Sequence, residues 1–199
     1  YYETFNRDNV SLVNLRRTPI ETITDKGIKT MEGEREFDAI VYATGFDAMT
    51  GPLLRVDIRG RGGVKLQDAW VDGPRSYLGI AIHGFPNLFT ITGPSSPSVL
   101  SNMLVSIEQH VDWVSDCIQW MREEGKATIE PSDSAEREWA EHTEQLANMT
   151  LYPKANSWYM GSNGPGKPRM FLAYVGGVGT YRLICDQVAA SGYHGFEAA

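Results

Sequence analysis

Cysteine is scarce in this chain: two among 199 residues, Cys117 and Cys185. Both fall in helical patterns, in no nucleophile, redox or zinc-ligand spacing. They are therefore predicted to be small buried apolar residues in a reducing, cytoplasmic compartment rather than parts of a disulfide framework. No apolar run approaches the roughly 20 residues that span a bilayer, and no secretory pattern is present, so no membrane partner is expected. Net charge is -7 and the Lys and Arg residues are scattered, which leaves no basic stripe for a nucleic acid. Histidines number four. Glu138 and His142 lie one helical turn apart, but nothing completes a ligand set, and no metal is expected. The dinucleotide fingerprint is also missing: Gly176-Gly177-Val178-Gly179 fails the G-x-G-x-x-G spacing, and Gly60-Arg61-Gly62-Gly63 lacks a strand before it and a helix after it. Any pyrophosphate loop is expected on other polypeptide.

What is present begins with Asp38 to Asp47. An apolar, β-branched run from Ala39 to Ala43 stops at Thr44-Gly45, the pattern of a buried parallel strand ending in a loop. Ligands of open α/β sheets sit at that end of the strands. Ahead of it, Val10–Val13 reads as a strand, and Ile20–Thr24 and Ile28–Thr30 flank an Asp25-Lys26-Gly27 turn as a hairpin. Residues 48–76 read mostly as loop, 77–82 as a strand, and 87–92 as a second apolar strand stopped by Gly93-Pro94.

The most regular pattern follows. Leu100, Leu104, Ile107, Val111, Val114, Ile118 and Met121 recur at steps of four and three, which predicts one long helix with that stripe in the core. Ser98 is its expected N-cap and Gly125 its stop. A second helix is predicted over 134–149, a loop over 150–169, a strand over 170–175 and a last helix over 180–190 with Tyr181, Ile184 and Val188 on one stripe.

Two places could carry chemistry. In the first, the turn Gly93–Pro97 leads into a helix N-terminus, whose free N–H groups and positive dipole end suit an anion or the electron-rich edge of a reduced flavin. A plain loop joining strand to core helix fits those residues too. In the second, the loop 157–169 combines Trp158 and Tyr159 with Gly/Pro hinges and the cations Lys167 and Arg169, the parts of a lid over a phosphate-bearing ligand. A surface loop with one anchored tryptophan reads equally well.

Four stretches together resemble the C-terminal portion of flavin-dependent Baeyer–Villiger monooxygenases, close to the phenylacetone and steroid branch. They are Tyr1–Val10, Ala43–Gly51, Gly84–Asn87 through Ser101–Leu104, and Asn156–Tyr159 through Pro165–Arg169. The resemblance implies an α/β fold: the C-terminal part of a flavoprotein with two Rossmann-like dinucleotide-binding domains, with long helices packed on the FAD domain. Residues 1–46 would end the NADP-binding domain, and 47–199 would form the C-terminal segment of the FAD-binding domain. Members reduce FAD with NADPH and then use O2 to convert a ketone to an ester or lactone.

Carried over by position, Ala43, Thr44 and Gly45 would approach the dinucleotides. Gly93, Pro94, Asn102 and Met103 would border the flavin, and Trp158 and Lys167 would belong to the loop over NADP. Pro97, Ser98, Val99 and Leu100 would shape a hydrophobic ketone pocket. Gly164 stands where the motif usually has Ile or Val. The family's catalytic arginine and both glycine fingerprints precede the point matching Tyr1, so no catalytic residue is expected on this chain. It is expected to need that N-terminal portion as its partner and to be inert alone. A related N- or S-oxygenating flavoprotein, and a non-catalytic flavin-domain module, are the alternative readings.

Overall fold

A computed structural model describes residues 1–97, 101–161 and 166–199. They form two compact units, Tyr1–Gly45 and Phe46–Ala199.

The first unit is built on the expected hairpin, extended by a third strand. Strands β1 (Ile20–Ile23), β2 (Gly27–Thr30) and β3 (Gly33–Glu36) pair antiparallel in that order, with Ile23 opposite Ile28 and Thr30 opposite Gly33. The Thr24 hydroxyl accepts the Gly27 amide at 3.0 Å and closes the first turn. Gly27 has no substitute there, because a Cβ would stand 1.9 Å from the Arg35 carbonyl oxygen. Polar alternation in Gly33–Glu36 hid the third strand from a search for apolar runs. Neither Val10–Val13 nor the run ending at Ala43 is a strand; Val41 is 85% exposed and Tyr42 66%. A strand exists only where a neighbour shares its hydrogen bonds, and among the described residues none lies beside 39–43.

In the second unit, two short helices, α1 (Gly51–Leu54) and α2 (Leu66–Ala69), interrupt the stretch expected as loop. The long helix α3 is Met103–Glu123, followed by β4 (Ile129–Pro131), α4 (Asp133–Asn148), α5 (Val178–Ala190) and β5 (Phe196–Ala198). β4 and β5 pair antiparallel, Ile129 opposite Ala198. The Ser132 hydroxyl caps α4 through the Ala135 amide. The strands expected over 77–82, 87–92 and 170–175 are extended segments joined, among the described residues, only by isolated bridges, Tyr77 to Ala81, Ala81 to Phe89 and Pro97 to Tyr174. Left-handed backbone at Leu78 and Gly79 turns the first of them back on itself before a ladder can form.

The core gathers Trp113, Cys117 and Met121 of α3, Trp139 of α4, and Tyr181, Cys185 and Val188 of α5 around Leu78 and Ile80. Both cysteines are buried and free, as expected. The inward face of α3 overlaps the predicted aliphatic stripe only in part: Met121 is buried and Ile107 and Val114 half-buried as that spacing predicts, but the rest of the face is different. Ser106, Gln109, His110, Trp113, Cys117 and Met121 are buried, whereas Leu104, Val111 and Ile118 are exposed at 68%, 46% and 38%. The helix carries two stripes of helical period, and the mixed one, richer in ring area, is the one that meets α4 and α5. The start of α3 is corrected too. Asn102, not a residue near 98, caps it by accepting the Leu104 amide at 3.0 Å; Ser98 lies outside the described residues. Asn102→Ala is expected to cost about 1 kcal/mol, read from the denaturation midpoint of the whole protein, with Asn102→Ser near wild type. Gly125, at φ 67°, ends the helix as predicted.

Candidate functional site

The turn at 93–97 and the tip of α3 are two separate things in this structure. Gly93, Pro94, Ser95, Ser96 and Pro97 are buried, and their backbone is engaged by the protein itself. Gly93 N–H donates to the Gly79 carbonyl at 3.1 Å, and the Ser96 hydroxyl donates to the Gly93 carbonyl at 2.7 Å. The Pro94 carbonyl accepts from the Ser76 hydroxyl at 2.6 Å. Ser95 N–H donates to the Leu172 carbonyl at 3.0 Å, and its carbonyl accepts from Trp139 Nε1 at 3.1 Å. Pro97 bridges to Tyr174. The turn does not present free amides to a ligand; it is a wall with its polar groups spent inward. Gly93 is tied to this role, since a Cβ would stand 2.4 Å from the Thr90 hydroxyl and 2.6 Å from the Gly79 carbonyl.

The tip of α3 is open. Asn102 is exposed and Met103 half-buried. No acidic side chain occupies the first turn, so nothing on the helix offsets the positive end of its dipole. Ser98, Val99 and Leu100, the expected ketone-pocket residues, and Gly164 lie outside the described residues.

The second candidate loop is anchored. Trp158 and Tyr159 stack at 3.9 Å and 23° within a 3-10 turn, on a cluster that includes Met160 and Phe171. The Lys167 ammonium is ion-paired with Asp47 and lies 3.5 Å from the Thr50 hydroxyl, so its charge is met within the protein. Arg169 is turned onto the Pro153 and Ala155 carbonyls and the Asn156 side chain. Ala43, Thr44 and Gly45 are exposed in the first unit.

Sequence reasoning missed the supports. Two buried carboxylates hold the turn His83–Asn87. Glu136 accepts the His83 amide at 2.9 Å, while Glu130 accepts the Gly84 amide at 2.8 Å and pairs with Arg61. Burial raises the Glu136 pKa, the His83 amide opposing. The signal was slight: two glutamates in a region whose other charges are solvated. Two cavities hold none of the expected site residues. One, about 450 Å³, lies between α4 and residues 169–171, and the other, about 570 Å³, lies beside Tyr77, His142 and His194. Among the described residues no cluster of three or more His, Cys, Asp or Glu side chains could hold a metal, and no helix is long and apolar enough to cross a membrane.

No family model matches the chain. Individual proteins do. It is 47% identical over 198 residues to acetone monooxygenase (methyl acetate-forming) of Gordonia sp. (strain TY-5), covering 98% of this chain and 37% of that protein. Oxidised steroid monooxygenase bound to NADP superposes with a TM-score of 0.85 at 50% identity, and an OTEMO complex with FAD and NADP with 0.89 at 44%. Each covers all of this chain and 37% of the solved one. The chain thus spans a little over a third of the length of the relatives it matches. Along its whole length, in both sequence and backbone, the chain is similar to Baeyer–Villiger monooxygenases, matching a little over a third of each.

Proposed function

We propose that the protein to which this chain belongs is an FAD-containing, NADPH-dependent Baeyer–Villiger monooxygenase that converts hydrophobic ketones to esters or lactones with O2. The observation that carries this reading is the match of the entire chain, at 44% identity, to a structure complexed with FAD and NADP. The residues present fit a flavin: the tip of α3 is exposed, capped by a neutral asparagine and free of acidic side chains. Bound there, FAD supplies the redox chemistry and O2 activation. Asn102 and Met103 would face it, and the buried turn Gly93–Pro97 would fix where the helix tip stands. Ala43, Thr44 and Gly45 would approach the dinucleotides from the first unit. Pro97, Ser98, Val99 and Leu100 would border the ketone.

On the NADP side the fit divides. Trp158 offers a ring face, whereas Lys167 would reach a phosphate only by leaving Asp47. Trp158 is accordingly the stronger candidate for contact.

The test uses the full-length protein with NADPH, O2, and a ketone and a sulfide offered together. Expected are stoichiometric FAD on purification and ester or lactone as the main product. Sulfoxide alone, with the ketone untouched, would overturn the assignment of the reaction, and a colourless, flavin-free protein would overturn the flavoprotein reading itself.

A further inference from the structure

Leu78 at φ 59° and Thr92 at φ 52° are two of the six described non-glycine residues with left-handed backbone; Ser95, in the turn itself, is a third. One chain of side-chain contacts holds Leu78 and Thr92. Thr92 N–H donates to His110 Nδ1 at 2.9 Å. His110 Nε2 meets the Tyr181 hydroxyl at 2.6 Å, and that hydroxyl donates to the Leu78 carbonyl at 2.5 Å. The direction of the chain is fixed by chemistry. A backbone amide only donates, so Nδ1 accepts. Nε2 therefore carries the proton and donates it to the tyrosine oxygen, whose own hydrogen goes to Leu78. Both side chains are fully buried, His110 on α3 and Tyr181 on α5.

The two strained segments are also tied to each other, Thr90 N–H to the Ile80 carbonyl at 2.7 Å and Gly93 N–H to the Gly79 carbonyl at 3.1 Å. A β-branched residue keeps such a conformation only where its surroundings over-determine it, and strain of this kind collects where a surface must be held in place for a ligand. Thr92 leads directly into the Gly93–Pro97 wall.

We propose that His110, as the Nε2–H tautomer, is a positioning residue for the cofactor side of this fold: through Thr92 it holds the entry to the Gly93–Pro97 turn, and through Tyr181 it holds Leu78, so that α3 and α5 clamp two strained segments in one register. The role rests on the flavoprotein reading for what lies across the turn; the clamp itself is a property of the chain.

The test compares full-length wild type with His110→Leu, His110→Asn and Tyr181→Phe, by amide hydrogen exchange over residues 76–96, FAD dissociation and the visible flavin spectrum. In His110→Leu, exchange at Thr92 and Gly93 is expected to speed up about tenfold or more, the order expected for loss of one buried hydrogen bond. FAD is expected to bind about tenfold more weakly with a shifted visible band, whereas exchange in β1–β3 stays unchanged. The asparagine Oδ1 stands where Nδ1 stood, so His110→Asn is expected to restore protection at Thr92 and most of the FAD affinity. Tyr181→Phe is expected to free Leu78–Ile80 in preference to Thr92, and it decides the matter should the leucine variant not fold. Unchanged exchange at Thr92 in His110→Leu overturns the clamp. Faster exchange with wild-type FAD affinity and spectrum overturns the positioning role, because the clamp would then serve the fold alone. A wild type that binds no FAD, with Thr92 still freed by the leucine variant, overturns the flavoprotein reading and leaves the clamp standing.

Discussion

Replacing Trp139 with alanine is expected to destabilise the fold by about 3–5 kcal/mol, the range for deleting a large buried aromatic ring. The ring is 5% exposed and stacks on Tyr174 at 5.3 Å and 9°. The indole also has a polar duty, because its N–H is bonded to the Ser95 carbonyl inside the Gly93–Pro97 wall. Trp139→Phe separates the two contributions. It keeps most of the ring but strands a buried carbonyl, for an expected cost of about 1–3 kcal/mol. Urea denaturation of the full-length protein measures both. A phenylalanine variant as stable as wild type would mean that the Ser95 carbonyl finds water or another donor, and the wall would then be less rigid than described.

Acid is expected to weaken the fold through His110. Burial pushes its pKa down to about 4 from an ordinary 6.5, with the Thr90 carbonyl resisting. Below pH 6.5 the unfolded chain therefore takes up a proton that the folded chain refuses. The stability tied to the neutral ring is fully present above pH 6.5 and drains away as pH falls towards 4, about 3 kcal/mol in all. Glu136, with its raised pKa, works in the opposite sense, losing stability as pH rises. That contribution is common to wild type and His110→Asn and cancels between them. The difference in unfolding free energy between the two should therefore shrink steeply from pH 7 to pH 4.5. A difference that is flat across this window would show that the imidazole already carries its charge in the folded state.

Local signals were legible where the physics is local. The Asp25-Lys26-Gly27 turn, the stop at Gly125 and the stripe of Tyr181, Ile184 and Val188 all depend on residues a few positions apart, and all appear in the structure. Ala39–Ala43 was misread because a parallel strand is a property of its neighbours, and composition alone cannot supply them. The long helix was misread for a subtler reason. Periodicity says that Leu104, Val111 and Ile118 share a face, and they do; it does not say which of two stripes wins the core. Trp113 contributes far more buried area than any of the aliphatic residues, and His110 becomes a core residue only because Thr92 and Tyr181 satisfy both of its nitrogens. At the site, residue types suggested a helix N-terminus with free amides directly after the turn, but the turn's own Gly93 and Ser95 amides are taken by the Gly79 and Leu172 carbonyls, and its Pro94 and Ser95 carbonyls by Ser76 and Trp139.

The two thiols have a practical use. Burial pushes Cys117 up to about 12 and Cys185 up to about 11, so almost no thiolate exists at neutral pH and reagents have no path to either sulfur. Neither Cys117 nor Cys185 is therefore expected to react with maleimides or spin labels in the folded state. A single engineered cysteine at an outward position such as Ile118 would therefore report without interference from Cys117 or Cys185.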